Sequence, residues 1–156
     1  MELILWRHAE AEPGEPDEGR MLTAKGHKQA RKMAEWLDRN LPDTCRILVS
    51  PTRRTVQTAE ALSRKYKIHA GLAPNAKAQD ILKIVNWPES REPVLVVGHQ
   101  PTLGQVAALI LAGNVQDWTI RKSTALWISQ KEQKEAGDGA VITYIKAVMA
   151  PELLRK

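Results

Sequence analysis

Three short, unbroken apolar runs constrain this chain more than anything else in it: Leu3-Ile4-Leu5-Trp6, Ile47-Leu48-Val49 and Val94-Leu95-Val96-Val97. Apolar runs this short read as strands, and strands without a polar face are buried on both sides. Helical patterns lie between them. Behind Thr23, a good N-cap, Ala30, Met33, Ala34, Leu37 and Leu41 recur at helical spacing, and Leu41-Pro42-Asp43 ends the pattern. Ser50-Pro51 predicts a helix from Thr52 onward, with Ser50 as cap and Val56, Ala59, Leu62 and Tyr66 facing inward. Residues 68–72 suggest a brief edge strand. Ala78, Ile81, Leu82 and Val85 suggest a short helix that stops before Trp87-Pro88. Leu103, Val106, Ala107, Ile110 and Leu111 define another, closed by Gly113-Asn114. Residues 12–20 are an acidic loop with Pro13, Gly14, Pro16 and Gly19.

After residue 112 the period changes. Residues 123–129 and 140–148 read as two strands, with a polar hairpin loop over 130–139. The expected fold is therefore α/β: a three-layer α/β/α sandwich with a mostly parallel central sheet and a C-terminal hairpin. A length of 156 residues suits a single domain over 1–156. No run of eighteen apolar residues is present, so no membrane span is expected. The chain begins on a strand pattern without a signal segment, and the single Cys45 excludes an internal disulfide framework. Together these favour the cytoplasm. The net charge of +5 is compatible with a phosphorylated or acidic partner. Lys25, Lys28, Arg31, Lys32 and Arg39 share one helix with no interleaved aromatic platform, so nucleic acid is not an expected partner. Gly104, Gly113 and the other glycines form no dinucleotide or P-loop fingerprint.

In open α/β sheets, ligands collect outside the carboxyl ends of the strands. The three clearest strands run out into Arg7-His8, Ser50-Pro51-Thr52-Arg53-Arg54 and Gly98-His99. If the strands are neighbours, two arginines and two histidines converge. Arginine offers a permanent charge and a planar fork of donors that suits phosphate, and histidine can be nucleophile, base or acid near neutral pH. Such a cationic pocket suits a phosphoryl group.

These residues resemble a known family. Arg7-His8, Ser50-Pro51-x-x-Arg54-x-x-Gln57-Thr58-Ala59 and Gly98-His99 are similar to the motifs of the histidine phosphatase superfamily, which includes the phosphoglycerate mutases. The short length, Leu22-Thr23-x-x-Gly26 and the Pro151-Glu152-Leu153-Leu154 ending resemble its smallest branch, the SixA-type phosphohistidine phosphatases. The resemblance implies a phosphoglycerate mutase-like fold and a role for each matching residue. His8 corresponds to the nucleophile that becomes phosphorylated. Arg7 and Arg54 correspond to the phosphate-binding arginines. His99 corresponds to the second histidine, which holds phosphoryl oxygens. Arg53 does not match and is expected at the rim. No metal or organic cofactor is implied. The implied partner is a phosphorylated protein, such as a histidine phosphotransfer signalling domain.

Two departures matter. Ala9 stands where the family has glycine, and it is strained if that backbone is left-handed. The glutamate general acid of larger members has no recognisable counterpart; Asp80, Glu89, Glu10 and Glu12 are the candidates. An alkyl phosphate needs a proton donor to release its alkoxide, whereas a protonated phosphohistidine releases neutral imidazole. The missing acid thus favours a phosphoramidate substrate. The alternatives are a phosphatase for small esters or anhydrides, and a non-catalytic phosphate-binding module, against which the histidine pair argues. His27 and His69 are expected on the surface. Trp6, Trp36 and Trp127 are expected in the core, with Trp87 and Trp118 nearer loops.

Overall fold

The computed structural model describes residues 1–133 and 139–155. Its strands are β1 (Glu2–Arg7), β2 (Arg46–Val49), β3 (Lys67–Ile68), β4 (Val94–Gly98), β5 (Ala125–Glu132) and β6 (Val141–Met149). They form one sheet in the order β3-β2-β4-β1-β5-β6. Its helices are α1 (Ala24–Asn40), α2 (Arg53–Glu60), α3 (Ala78–Ile84) and α4 (Thr102–Ala112).

The unbroken apolar runs are explained by burial on both faces. Leu3 and Leu5 of β1 join Val94 and Val96 of β4 beneath α3 and α4, with Ile81, Leu103 and Val106. Ile4 and Trp6 point the other way, with Leu95 and Val97, onto Met33, Ala34 and Leu37 of α1 and Ala59 of α2. Alternate residues of one strand therefore serve two cores, and each large apolar side chain so buried contributes about 1.5–3 kcal/mol. Thr23 caps α1 as expected, accepting the Gly26 N–H at 2.9 Å. Gly113 closes α4 in the left-handed conformation. No helix among the described residues is long and apolar enough to cross a membrane.

Some expectations need correction. The sheet is mixed rather than mostly parallel. β1, β2, β3 and β4 run parallel, but β5 pairs antiparallel with both β1 and β6, because β5 enters from the 113–124 loop and not from a crossover helix. Helix α2 is capped by Thr52, not Ser50, and ends at Glu60, leaving Leu62 and Tyr66 outside it. Ser50 is committed elsewhere, as described below. The expected edge strand over 68–72 is β3 followed by a 3-10 turn at Ala70–Leu72. The hairpin has the expected pairing, but β5 continues to Glu132, and residues 134–138 of the expected loop lie outside the described residues. Trp6 and Trp127 are buried, while Trp36 is half-buried and meets Trp127 edge-on at 6.3 Å. Trp87 and Trp118 pack on the α3–α4 side and are half-buried. His27 is exposed as expected. His69 is half-buried, its Nδ1 accepting the Gly71 N–H at 2.9 Å.

The Leu22-Thr23-x-x-Gly26 pattern has a steric basis. The Glu10 carbonyl passes so close to Gly26 that a Cβ there would collide with it. Replacing Gly26 by Ala should destabilise the protein by about 2 kcal/mol or more, through overpacking against backbone that cannot move freely. Urea unfolding followed by circular dichroism measures the loss.

Candidate active site

The parallel register sets Arg7 opposite Gly98, so the two strands release His8 and His99 side by side. His8 N–H donates to Gly98 O at 3.1 Å, and Ser50 N–H donates to Val97 O at 3.1 Å, extending both ladders into the corners. The His8 and His99 rings lie 5.4 Å apart between centroids, tilted by 57°. His8 is 7% exposed, His99 5% and Arg54 4%. Arg53, one residue earlier, is exposed. The structure thus brings His8, Arg54 and His99 together, with Arg7 close enough for its charge to bear on both imidazoles.

Each imidazole is oriented. His8 Nδ1 lies 2.7 Å from the Ala9 carbonyl oxygen, which can only accept, so Nδ1 carries the proton and Nε2 keeps its lone pair. Burial lowers the His8 pKa from 6.5 to about 4, and the charges of Arg54, Arg7 and Arg20 add to the effect against the Ala9 hydrogen bond. Burial lowers that of His99 to about 3, helped by His8 and Arg54. Both rings are therefore neutral near pH 7. Ser50 Oγ lies 2.7 Å from His99 Nε2, which is why Ser50 is not the helix cap. His99 Nδ1, Arg7 Nε and Arg54 Nε are buried without a hydrogen-bond partner.

The support around these groups comes from residues whose part was not legible beforehand. Thr58 Oγ1 accepts the Ala9 N–H at 3.0 Å and donates to Arg54 O at 2.7 Å. Gln57 Oε1 accepts the Leu22 N–H at 2.7 Å. The segment 120–124 clamps the end of β1: Arg7 Nη1 donates to Ile120 O at 3.0 Å, Ser123 N–H to His8 O at 3.0 Å, and Trp6 Nε1 to Ser123 O at 2.9 Å. Ala9 is absent from the positive-φ residues Ser63, Asn75, Asn86 and Ser123, so it replaces glycine without strain.

The candidate acids separate clearly. Asp80, Glu89 and Glu12 are exposed. Glu10 is half-buried and accepts a hydrogen bond from Thr23 Oγ1 at 2.8 Å. Among the described residues the carboxylate that meets Arg54 is Asp17, in the acidic loop over 12–20 and outside those four candidates. Arg54 Nη2 meets Asp17 Oδ2 at 3.1 Å, and Arg54 Nη1 donates to Asp17 O at 2.8 Å. Arg20 binds Asp17 Oδ1 at 3.1 Å and holds its carboxyl below the usual carboxylate range, with Arg54 contributing. Asp17 is thus ionised and a poor proton donor near neutrality. Among the described residues no His, Cys, Asp and Glu side chains cluster as a metal site.

Residues 3–77 match the model described as the histidine phosphatase superfamily (branch 1). The chain is also 28% identical to the phosphohistidine phosphatase SixA homolog of Haemophilus influenzae, over 94% of this chain and 100% of that one. The chain belongs to the histidine phosphatase superfamily. It is 29% identical to the phosphohistidine phosphatase SixA of Escherichia coli, over 72% of this chain and 76% of that one. The structure of the protein histidine phosphatase SixA complexed with tungstate has the same fold, with a TM-score of 0.75 and 24% identity, covering 99% of this chain and 100% of that one. Like other histidine phosphatases, the protein is a phosphatase of the histidine-nucleophile type.

Two outcomes follow from this geometry. An incoming anion must compete with the Asp17 carboxylate for Arg54, and that carboxylate is on a side chain 54% exposed, so its hold is weak. Replacing Asp17 by Asn should tighten inhibition by inorganic phosphate roughly 3- to 10-fold. The second concerns pH. Between about pH 4 and 6.5 the unfolded chain binds protons that folded His8 refuses, so stability is full above that window and falls as pH drops through it. Thermal melts at pH 7 and pH 5 should differ by roughly 5 °C or more, and His8→Gln should reduce the difference.

Proposed function

We propose that the protein removes phosphate from a phosphorylated histidine on another protein, through a covalent phospho-His8 intermediate. Residues 1–156 would act as one histidine phosphatase domain in the cytoplasm, with a histidine phosphotransfer signalling domain as the fitting substrate. The observation that carries the reading is a neutral His8 whose ring lies 5.4 Å from that of His99 and within the charge of Arg54 and Arg7, while Arg7 Nε, Arg54 Nε and His99 Nδ1 are buried without partners. Buried donors left unpaired cost free energy, and a tetrahedral oxyanion answers several at once. The names of the SixA relatives from Haemophilus influenzae and Escherichia coli support the phosphohistidine substrate.

The chemistry follows from the tautomers. The His8 Nε2 lone pair attacks phosphorus while Nδ1–H stays on the Ala9 carbonyl. The substrate P–N bond breaks, and a ring protonated on its other nitrogen leaves as neutral imidazole. Arg7, and Arg54 once Asp17 is displaced, balance charge on the phosphoryl oxygens. With Ser50 Oγ donating to His99 Nε2, His99 Nδ1–H becomes a further donor to those oxygens. Water then attacks phosphorus, the P–Nε2 bond breaks with its electron pair returning to Nε2, and the water protons leave on the phosphate, so His8 recovers its Nδ1–H tautomer. No carboxylic acid is needed, which suits a site whose carboxylate is ionised.

Turnover of phosphoimidazole beside p-nitrophenyl phosphate tests the reading. The phosphoramidate should be preferred, and preference for the ester would move the substrate to small phosphate esters. Replacing His8 by Ala should abolish turnover with phosphate still bound, Arg54→Ala should weaken both binding and rate by roughly 100-fold or more in kcat/KM, and Arg53→Ala should change little. Substantial activity in the His8 variant would exclude the covalent route.

A further inference from the structure

Arg7 also lines a second pocket of about 210 Å³, walled by Glu10, Lys25, Gln29, Arg121, Lys122 and Glu152. The pocket shares Arg7 with the phosphoryl site, and Asp17 and Arg54 do not line it. Its base is held firmly. Gln29 Oε1 accepts the Glu10 N–H at 2.9 Å, and Thr23 Oγ1 donates to Glu10 Oε2. Its rim is held loosely. Arg121 meets Glu152 at 3.2 Å with both side chains exposed, and Lys122 Nζ stands 3.9 Å from Glu10 Oε1. Exposed pairs of this kind contribute little, so these cations can turn to another anion.

Lys25 adds an independent observation. It has no hydrogen-bond or ion-pair partner among the described residues. It also sits in the first turn of α1, which carries no acidic residue. A cation there stands against the positive end of the helix dipole, and the Glu10 carboxylate near that end is held by Thr23 and makes no ion pair with Lys25, so the position gains from a further anion. With Arg7 committed to the phosphoryl group, the three other cations against two carboxylates leave an excess of one positive charge, which suits one singly charged group.

We propose that this pocket is a second anion subsite that takes a carboxylate side chain lying beside the phosphohistidine on the protein substrate. The proposal rests on the phosphohistidine reading above. Arg7 fixes the phosphoryl group, and Lys25 and Lys122 grip the neighbouring carboxylate, so an acidic flank sets the orientation of the substrate surface.

Two phosphohistidine peptides that differ only in Glu or Gln beside the modified residue test it, with phosphoimidazole in parallel. The wild-type protein should favour the Glu peptide roughly 5- to 10-fold in kcat/KM, through KM. The preference should fade in about 0.5 M salt. Lys25→Glu with Lys122→Glu should reverse it, which a merely structural role would not do. Equal turnover of the two peptides by the wild type, or an unchanged preference in the double variant, would overturn the subsite while leaving the phosphatase reading intact. Turnover of phosphoimidazole with neither peptide hydrolysed would overturn the protein-substrate reading, and the subsite with it.

Discussion

Arg7 faces Gly98 in a parallel ladder, and His8 continues that ladder through its N–H to the Gly98 carbonyl. Everything chemical about the molecule hangs on this pairing. Strand side chains alternate, so a slip of one residue would turn Trp6 and Arg7 each to the face it does not now occupy and take His8 away from His99. The slip is resisted by the two cores, since Leu3 and Leu5 belong to one and Ile4 and Trp6 to the other. The hydrophobic pattern that makes the strand thereby also positions the imidazoles, and no separate device is needed for the second task.

Once those strand ends meet, the electrostatics of the pocket are largely imposed. Two buried imidazoles beside the buried Arg54 and the half-buried Arg7 cannot both hold protons, and each ring is pushed to the neutral form. Among the described residues the carboxylate that reaches Arg54 is that of Asp17, which Arg54 and Arg20 hold in its charged form. A site assembled this way holds a neutral nucleophile and fixed positive charge, with no acid poised near neutrality. That combination separates substrates by their leaving group, before any contact with the rest of the substrate is counted.

Much of this was readable from the chain. The strand ends were, because short apolar runs broken by Arg-His, Ser-Pro and Gly-His leave few alternatives. The Arg53 and Arg54 pair was too, since the motif spacing picks the second and only Arg54 is buried. Asp17 was not, because it reaches Arg54 from 37 positions away in an acidic loop that local pattern treats as solvent-facing. The 120–124 segment was missed for a related reason. Its contribution is made largely by backbone carbonyls and a positive-φ Ser123, and main-chain groups leave no signature in residue types. Ser50 was misassigned because two roles open to a serine at a strand end, helix cap and partner to a side chain, look alike until the neighbouring strand supplies His99.

The hydrogen bond from His8 Nδ1 to the Ala9 carbonyl has one more implication. The acceptor is main chain, so no side-chain replacement at position 9 can delete it, and it has no protonation state of its own. Many histidine sites fix their tautomer with a neighbouring carboxylate, which one substitution or a drop in pH can disable. Here that control is written into the peptide unit itself, robust to sequence drift and indifferent to acidity, which is why the position can exchange glycine for alanine without touching the chemistry next door.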